Sequence, residues 1–590
     1  MNEQLQHKRH TLAHLLVHAV LQDYPHAKPA IGPAIDTGFY YDIDFSGGEA
    51  PGDADLKNIQ KNMRKALGSW KVFSHREVSA TEAKKLYKDN PFKTELIIDL
   101  EKDGATITLY TVGEGKNEFT DLCRGGHSEN PAEEISADSF KLTSIAGAYW
   151  RGDEKNPMLT RIYGFAFDTA EELQAYETQI EEAKKRDHRK LGKELGLFSF
   201  SELVGPGLPL WSPKGTSLRN RVDEFVTGLR REKGYELVTI PHIAKKSLYE
   251  TSGHWNKYSE DLFKVRAKES GENGEEYVLK PMNCPHHTQI FDSEPRSYRD
   301  MPQRFSETTM VYRAEQSGEL SGLTRVLSIT QDDAHVFCRE SQLRGEIEAI
   351  WDIVNSFYGA FGFELKVRLS FHDPEDKEKY LGDEKIWEET EALMKKIAED
   401  RNAKYFIGIG EASFYAPKLD FMAYDSIGRE HQVATIQLDR LMPERFNLTY
   451  INEKGEKERV VMIHAAIAGS LERFLAVLIE HLSGNFPTWL SPTQAAIIPI
   501  SDAHNEYALK VYEELKATGL RVELDDSNDN MGKKIRNAKK ERLPYFVVIG
   551  DKEVSEKNVT VEYRSGESTQ MTVNAFANHL LAEVESKVLN

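Results

Sequence analysis

Cysteine is nearly missing from this chain, with three residues in 590, at positions 123, 284 and 338. So few exclude a disulfide framework and fit a reducing compartment. Long uninterrupted apolar runs are missing too. The most apolar region, VVMIHAAIAGSLERFLAVLIEHL, carries His464, Glu472 and Arg473 inside it, so it reads as a buried or half-buried helix and not a membrane span. The first residues, MNEQLQHKRHTLAH, hold no apolar signal core. A cytoplasmic location without a membrane partner is the expectation, and the Asn-x-Thr triplets at Asn447 and Asn558 then carry no glycosylation meaning. Repeats and low-complexity tracts are absent. Positive charge is in deficit, with a formal net charge of −19, which argues against broad non-specific nucleic-acid binding. Two local clusters run against that trend, KKRDHRKLGK (Lys184 to Lys193) and GKKIRNAKKER (Gly532 to Arg542). Each is either a solvated helix face or a phosphate contact. GEGK at 113–116 lacks the glycine spacing and the Ser or Thr of a P-loop.

What is present is ordinary globular composition, 39% hydrophobic and 29% charged, with a length that suggests about four domains. Apolar residues at 12, 15, 16, 19 and 20 have helical spacing, and GFYYDIDF reads as a strand. Helices are expected over 55–68 and 80–90, and a strand-and-turn region over TITLYTVG and FTDLCRGGH. This first α+β part runs over 1–168, followed by a charged linker helix over 169–193. A second unit, 187–487, opens with a helix marked by Leu218, Val222, Phe225, Val226 and Leu229, then the strand YELVTI closed by Pro241. Short strands and turns follow, with one clear helix from Arg339 to Phe361 and another over 463–482. Antiparallel sheet with flanking helices is the expected layout. From 488 to 590, AAIIPI, RVELDD and YFVVIG alternate with helices, the mark of α/β units on a parallel sheet.

Two groups of residues carry metal or acid–base chemistry. In PMNCPHH, Cys284 is a candidate zinc ligand, and His335 in TQDDAHVFC and His464 in VMIHAAIAGS are candidate partners. Separations of 51 and 129 residues cannot join them by spacing, and His464 alone reads equally as a satisfied core histidine. Near the N-terminus, His10 and His14 share a helix face, and Asp121, Cys123 and His127 crowd the loop DLCRGGH. Those residues read as a second zinc site, a metal-free hydrolytic pocket, or a polar helix face beside a turn. Arg313 and Arg473 offer planar forks suited to phosphate, or ordinary ion pairs.

The phrases MNCP, TQDDAHVFC, FYAPKLDF, TIQLDR and GSLERF stand in an order and at distances that resemble the bacterial-type threonyl-tRNA synthetases, class II enzymes, over essentially the whole chain. The resemblance implies an N-terminal α+β editing domain, an antiparallel-sheet catalytic core and a C-terminal α/β anticodon-binding domain. It also implies a homodimer built on the helix before Pro241. The family's small ubiquitin-like domain is expected to be absent, since nine residues precede His10. The implied reaction joins L-threonine to tRNA(Thr) through an adenylate, using ATP with magnesium. One zinc per chain would be held by Cys284, His335 and His464. Its implied task is to bind the amino group and hydroxyl of threonine, because a hydrophobic pocket separates threonine from isosteric valine by only about 1–3 kcal/mol. Serine also carries a hydroxyl, so an editing pocket of His10, His14, Asp121, Cys123 and His127 would hydrolyse seryl-tRNA with water.

By the same resemblance Arg313 meets the α-phosphate, Glu315 the adenine amine, and Arg325 and Arg473 the outer phosphates. Met282, Gln331, Asp333, Tyr415, Lys418, Gln432, Thr435 and Gln437 line the substrate pocket, and His254 assists transfer to tRNA. Four positions depart from the family pattern. Leu327 replaces an arginine, Ile329 replaces the aromatic under adenine, His286 replaces a glycine beside Cys284, and Glu562 replaces an anticodon-reading arginine, for which either Arg564 compensates or the anticodon contacts differ. Glu553 matches. The rival readings are a serine or proline ligase of the same class, an RNA-binding regulator without catalysis, and a free-standing editing hydrolase.

Overall fold

The structure is a computed structural model that describes residues 3–257, 259–266, 276–376 and 378–589. The chain divides into two compact units, Met1–Glu181 and Glu182–Asn590.

In the first unit the helix Glu3–Asp23 buries Leu12, Leu15, Leu16, Ala19 and Val20, the periodic positions, against the strand Gly38–Asp44 and the helix Leu56–Leu67. That strand sits in a five-stranded sheet with Met158–Ala166 and Phe140–Tyr149. A separate three-stranded antiparallel sheet is formed by Ser74–Glu77, Thr108–Val112 and Phe119–Leu122. The helix Pro91–Lys102 starts where Asn90 accepts the N–H of Lys93 and Pro91 fills the first turn. The expected helix over 80–90 is shorter, Ala80–Leu86.

The second unit is built on an eight-stranded sheet. Its order is Glu236–Leu237, Gln303–Tyr312, Ser328–Cys338, Val461–Ser470, Glu430–Asp439, Lys418–Tyr424, Glu364–Phe371, Tyr405–Ile409. All pairs are antiparallel except the outermost at each end. Helices Pro213–Glu232, Leu343–Gly359 and Leu471–His481 contribute to the main core with the sheet. The last hundred residues carry a five-stranded sheet in which Val522–Leu524, Ala495–Pro499 and Tyr545–Ile549 are parallel. Val559–Tyr563 and Ser568–Met571 then add antiparallel strands that the α/β pattern did not announce.

Several expectations need correction. His464 stands on the strand Val461–Ser470, and the helix starts only at Leu471, capped by Ser470. A central strand covered on both faces is apolar throughout, so periodicity cannot tell it from a buried helix. The linker pattern is two helices, Ala170–Arg186 and His188–Glu194, broken where Asp187 leaves helical geometry and caps the second. YELVTI contributes only Glu236–Leu237 to the sheet. Helices Cys284–Asp292 and Glu384–Asp400 were not read from the sequence. Among the described residues no helix is long and apolar enough to cross a membrane.

Candidate functional sites

The strand register brings two of the three proposed zinc ligands together. His335 and His464 are direct antiparallel partners, and Gln437 pairs with His464 from the other side. Cys284 comes from the first turn of Cys284–Asp292, a position set by Pro285 behind it. One donor atom from each of Cys284, His335 and His464 lies within 4.8 Å of the other two. His335 Nε2 and His464 Nδ1 are 3.1 Å apart, close to the roughly 3.3 Å between two nitrogen ligands on a tetrahedral zinc. His464 Nε2 lies 2.9 Å from Asp439 Oδ2 and His335 Nδ1 lies 2.8 Å from His287 Nδ1, so each ring is held from behind. Burial, followed by Asp333 and Asp439, pushes the Cys284 thiol well above its ordinary range. A bound cation would displace that proton. The donor set, one sulfur and two imidazoles, fits zinc.

This triad lines a cleft of about 350 Å³. Met282, Gln331, Asp333, Tyr415, Lys418, Gln432, Thr435 and Gln437 also line it, as do Arg313 and Arg473. Asn283 donates to Asp333 at 3.0 Å, and Tyr415 donates to Gln437 at 2.8 Å. Asp420, wholly buried, was missed by the sequence reading. It accepts from Gln432 and Thr435 at 2.9 and 2.7 Å, and Lys418 lies 3.4 Å away, so it arranges one wall. The signal was available, because Lys418 and Asp420 share one face of a strand.

Glu315, Arg325 and His254 do not line this cleft. Arg325 is paired with Glu315 at 2.6 Å and Glu319 at 2.8 Å. Burial, then the neighbouring Arg313 and Arg325, lowers the pKa of Arg473, so three guanidiniums are close enough to repel. His254 is buried behind Tyr415, with ring centroids 6.1 Å apart and Nδ1 2.8 Å from Ser252 Oγ. Burial first, then His464 and Arg313, lowers it to about 3, so the ring is neutral. The His286 ring lies against Tyr249, 6.2 Å between centroids. Leu327 packs beside Gly207, and its N–H donates to Gly207 O.

The first unit carries the second cluster. Cys123 follows the strand Phe119–Leu122, and Gly125, at φ 95°, lets the loop pass Tyr110, whose hydroxyl would lie 2.6 Å from any Cβ there. His127 Nε2 is 3.3 Å and His10 Nε2 3.5 Å from Cys123 Sγ. His14 bridges His10 at 3.3 Å and Asp121 at 3.3 Å. Asp121 is further held by Lys93 at 2.6 Å and by the Tyr41 hydroxyl at 2.6 Å. Lys93 and Tyr41 also line this 740 Å³ pocket, and the sequence reading missed both. A lysine among Phe92, Leu96, Ile97 and Leu100 was the available signal for Lys93. Burial opposes ionisation of Cys123, yet hydrogen bonds from His10, His127 and His14 bring its thiol down to about 3. Burial also opposes charge on His14, but Asp121 and then Cys123 raise it to about 9. His127, desolvated and stacked between Phe73 and His10, falls to about 4.

Three family descriptions match this chain. "Threonyl and Alanyl tRNA synthetase second additional domain" covers residues 107–163, "tRNA synthetase class II core domain (G, H, P, S and T)" covers 263–482, and "Anticodon binding domain" covers 494–583. The threonine–tRNA ligase of Porphyromonas gingivalis is 47% identical over 583 residues, 98% of this chain and 88% of that one. The chain belongs to the threonyl-tRNA synthetase family. The threonine–tRNA ligase of Synechococcus elongatus is 44% identical over 99% of this chain and 96% of its own. A solved structure described as the RNA binding domain of threonyl-tRNA synthetase from Cryptosporidium parvum aligns with a TM-score of 0.64 at 37% identity, covering 67% of this chain and 98% of that one. As a member of that family the chain is a class II aminoacyl-tRNA synthetase with core, anticodon-binding and second additional domains.

In the anticodon-binding part of this threonyl-tRNA synthetase relative, Arg564 is already committed. It donates from Nη2 to the carbonyls of Phe486 and Arg542 at 2.7 and 2.8 Å. Glu553 accepts from Gly550 N and Thr560 at 2.9 and 2.7 Å.

Proposed function

We propose that this chain forms threonyl-adenylate from ATP and L-threonine, transfers threonine to tRNA(Thr), selects threonine through one zinc ion, and hydrolyses seryl-tRNA(Thr) in its first unit. The observation that carries this reading is the convergence of Cys284, His335 and His464 in the cleft that also holds Arg313 and Arg473. Bound zinc would supply positions for the amino group and hydroxyl of threonine, which valine cannot fill. The protein's own groups do the rest. Asp333 accepts hydrogen bonds from the polar end of threonine, beside the zinc ligands. Gln331, Gln432, Thr435, Gln437, Tyr415 and Lys418 shape the cleft around threonine and nucleotide. Arg313, Arg325 and Arg473, mutually repelling when alone, are relieved by the phosphates of magnesium–ATP and stabilise the charge that develops as the carboxylate attacks the α-phosphate. Arg325 must leave Glu315 to do so, which frees Glu315 for the adenine amine. His254, neutral beside Tyr415, is the histidine this reading assigns to proton transfer at the tRNA end, and it gains the needed basicity only when its burial is relieved.

In the first unit the Cys123 thiolate and charged His14 fix the pocket's polarity, while neutral His127 donates Nε2–H to the thiolate and the imidazoles of His10 and His14 hold the water. That division of roles needs no second metal. Residues 1–168 are the editing domain in this reading, 169–193 the linker, 187–487 the catalytic domain and 488–590 the anticodon-binding domain, working as a cytoplasmic homodimer. Exposed Leu237, on the edge strand of the main sheet, and Met310, on the strand beside it, support the dimer. ATP–pyrophosphate exchange with each amino acid tests the proposal. Exchange with threonine and weaker exchange with serine are expected, with none for valine. Exchange that valine supports as well as threonine, or that no amino acid supports, overturns it.

A further inference from the structure

The helix His188–Glu194 begins with a buried residue that none of the roles above uses. His188 is 4% exposed, and its ring sits between a carboxylate and a backbone amide. Nδ1 is 2.7 Å from Glu480 Oε1, which also accepts the His188 backbone N–H at 3.0 Å. Nε2 accepts the N–H of Leu323 at 3.0 Å. An amide N–H can only donate, so Nε2 carries no proton, and the ring proton is on Nδ1, directed at Glu480.

Both ends of this bridge lead to the proposed phosphate arginines. Leu323 is buried two residues before Arg325, in a tight turn where Ser321 and Arg325 exchange backbone hydrogen bonds of 3.1 and 3.3 Å. The carbonyl of Thr324 in the same turn accepts Arg473 Nε at 3.1 Å. Glu480 lies at the end of the helix Leu471–His481, whose first turn carries Arg473. A carboxylate at a helix C-terminus is disfavoured by the helix dipole. Glu480 is kept there by His188 on one oxygen and Arg429, at 2.6 Å, on the other. Gly322 completes the fit. Its φ is +49°, and a Cβ there would lie 2.3 Å from His188 Nε2, so the turn reaches the ring only because it carries no side chain.

We infer that His188 is a positioning residue for the nucleotide. It ties the turn 321–325 to the helix Leu471–His481 and so fixes the spacing between Arg325 and Arg473. The inference rests on the proposed assignment of those arginines to ATP phosphates. His188 touches no substrate, and the threonine end of the cleft stands on strands outside the bridge, so the effect falls on ATP and not on the amino acid.

Exchange kinetics on the full chain test this. A glutamine at 188 places its carboxamide oxygen about where Nε2 stands and keeps the bond to Leu323, whereas an asparagine reaches only the Nδ1 position. His188→Asn is expected to raise the KM for ATP about tenfold, the effect of losing one buried hydrogen bond, with the KM for threonine and the zinc content unchanged. His188→Gln should restore most of the loss. Gly322→Ala, which pushes the turn off the ring, should reproduce the asparagine result. KM does not depend on the fraction of folded enzyme, so partial misfolding leaves the comparison intact. Unchanged ATP KM in both H188N and G322A, an equal rise for threonine, or H188Q no better than H188N overturns the inference. A wild-type chain with no threonine-dependent exchange overturns the proposed function instead. Calorimetric ATP binding by the same variants then makes the comparison, and equal affinities overturn the inference.

Discussion

His14 and His127 flank the same sulfur, yet their protons behave in opposite ways. His14 faces the Asp121 carboxylate and is held charged up to about 9, while His127, stacked on Phe73, stays neutral down to about 4. If the active form is the Cys123 thiolate held by neutral His127 and faced by charged His14, hydrolysis of seryl-tRNA should rise with pH through about 4. It should stay level across neutrality and fall as pH passes about 9, where His14 deprotonates. A single-turnover pH profile checks this, and a limb centred near the ordinary histidine value of about 6.5 would contradict it. The proposal also assigns a metal to one cluster and none to the other. Elemental analysis should find one zinc per chain, lost in Cys284→Ala and kept in Cys123→Ala; two zinc ions, or loss in the second variant, would count against the assignment. Side-chain identities were mostly legible before the structure, because DLCRGGH and TQDDAH concentrate reactive groups in a few positions. Lys93 and Asp420 carried a weaker signal, a lysine in an apolar run and a second charge on one strand face, whereas Tyr41 looks like part of an ordinary strand until tertiary contacts give it a partner.

Among elements, the strand Ser328–Cys338 does two jobs through its alternation. Asp333 and His335 line the cleft, while Asp332 is buried and accepts the N–H groups of Ile467 and Ala468 at 2.9 and 2.8 Å beside a break in register. Arg230, from the helix Pro213–Glu232, forms a buried ion pair with Asp332. Removing one partner strands a buried charge, so Arg230→Met should cost about 3–5 kcal/mol in denaturant unfolding. A loss below about 1 kcal/mol would mean that water or another cation replaces the guanidinium. This scale also held the main misreading. The sequence places His464 on a helix because VVMIHAAIAG is apolar at every position but the histidine, as a strand covered on both faces tends to be. Its cross-strand pairing with His335 was invisible to spacing, and only the resemblance to a known family had suggested that the two meet.

For the whole molecule, the alternation of elements predicted three architectures in order, and the sheets agree in class for each. The second and third lie within one compact unit, joined in part by Arg542 on the Ser483 carbonyl and by Lys214 on Glu541 at 2.7 Å. What the α/β pattern could not foretell was the antiparallel pair that follows: Val559–Tyr563 buries Val559 and Val561 like any core strand, and Ser568–Met571 is short and mostly exposed and resembles a turn. Sedimentation equilibrium should give twice the chain mass of 67.2 kDa; a monomer at micromolar concentration would contradict the proposed homodimer. The central claim concerns one thiolate and two imidazoles around an open metal position. Cobalt(II) substituted for zinc tests it most directly, because thiolate ligation and coordination number are both visible in its absorption spectrum. The account predicts a sulfur-to-cobalt charge-transfer band, absent in Cys284→Ala, and a loss of tetrahedral d–d intensity when threonine binds but not when valine is added. No charge-transfer band, or the same response to both amino acids, would contradict it.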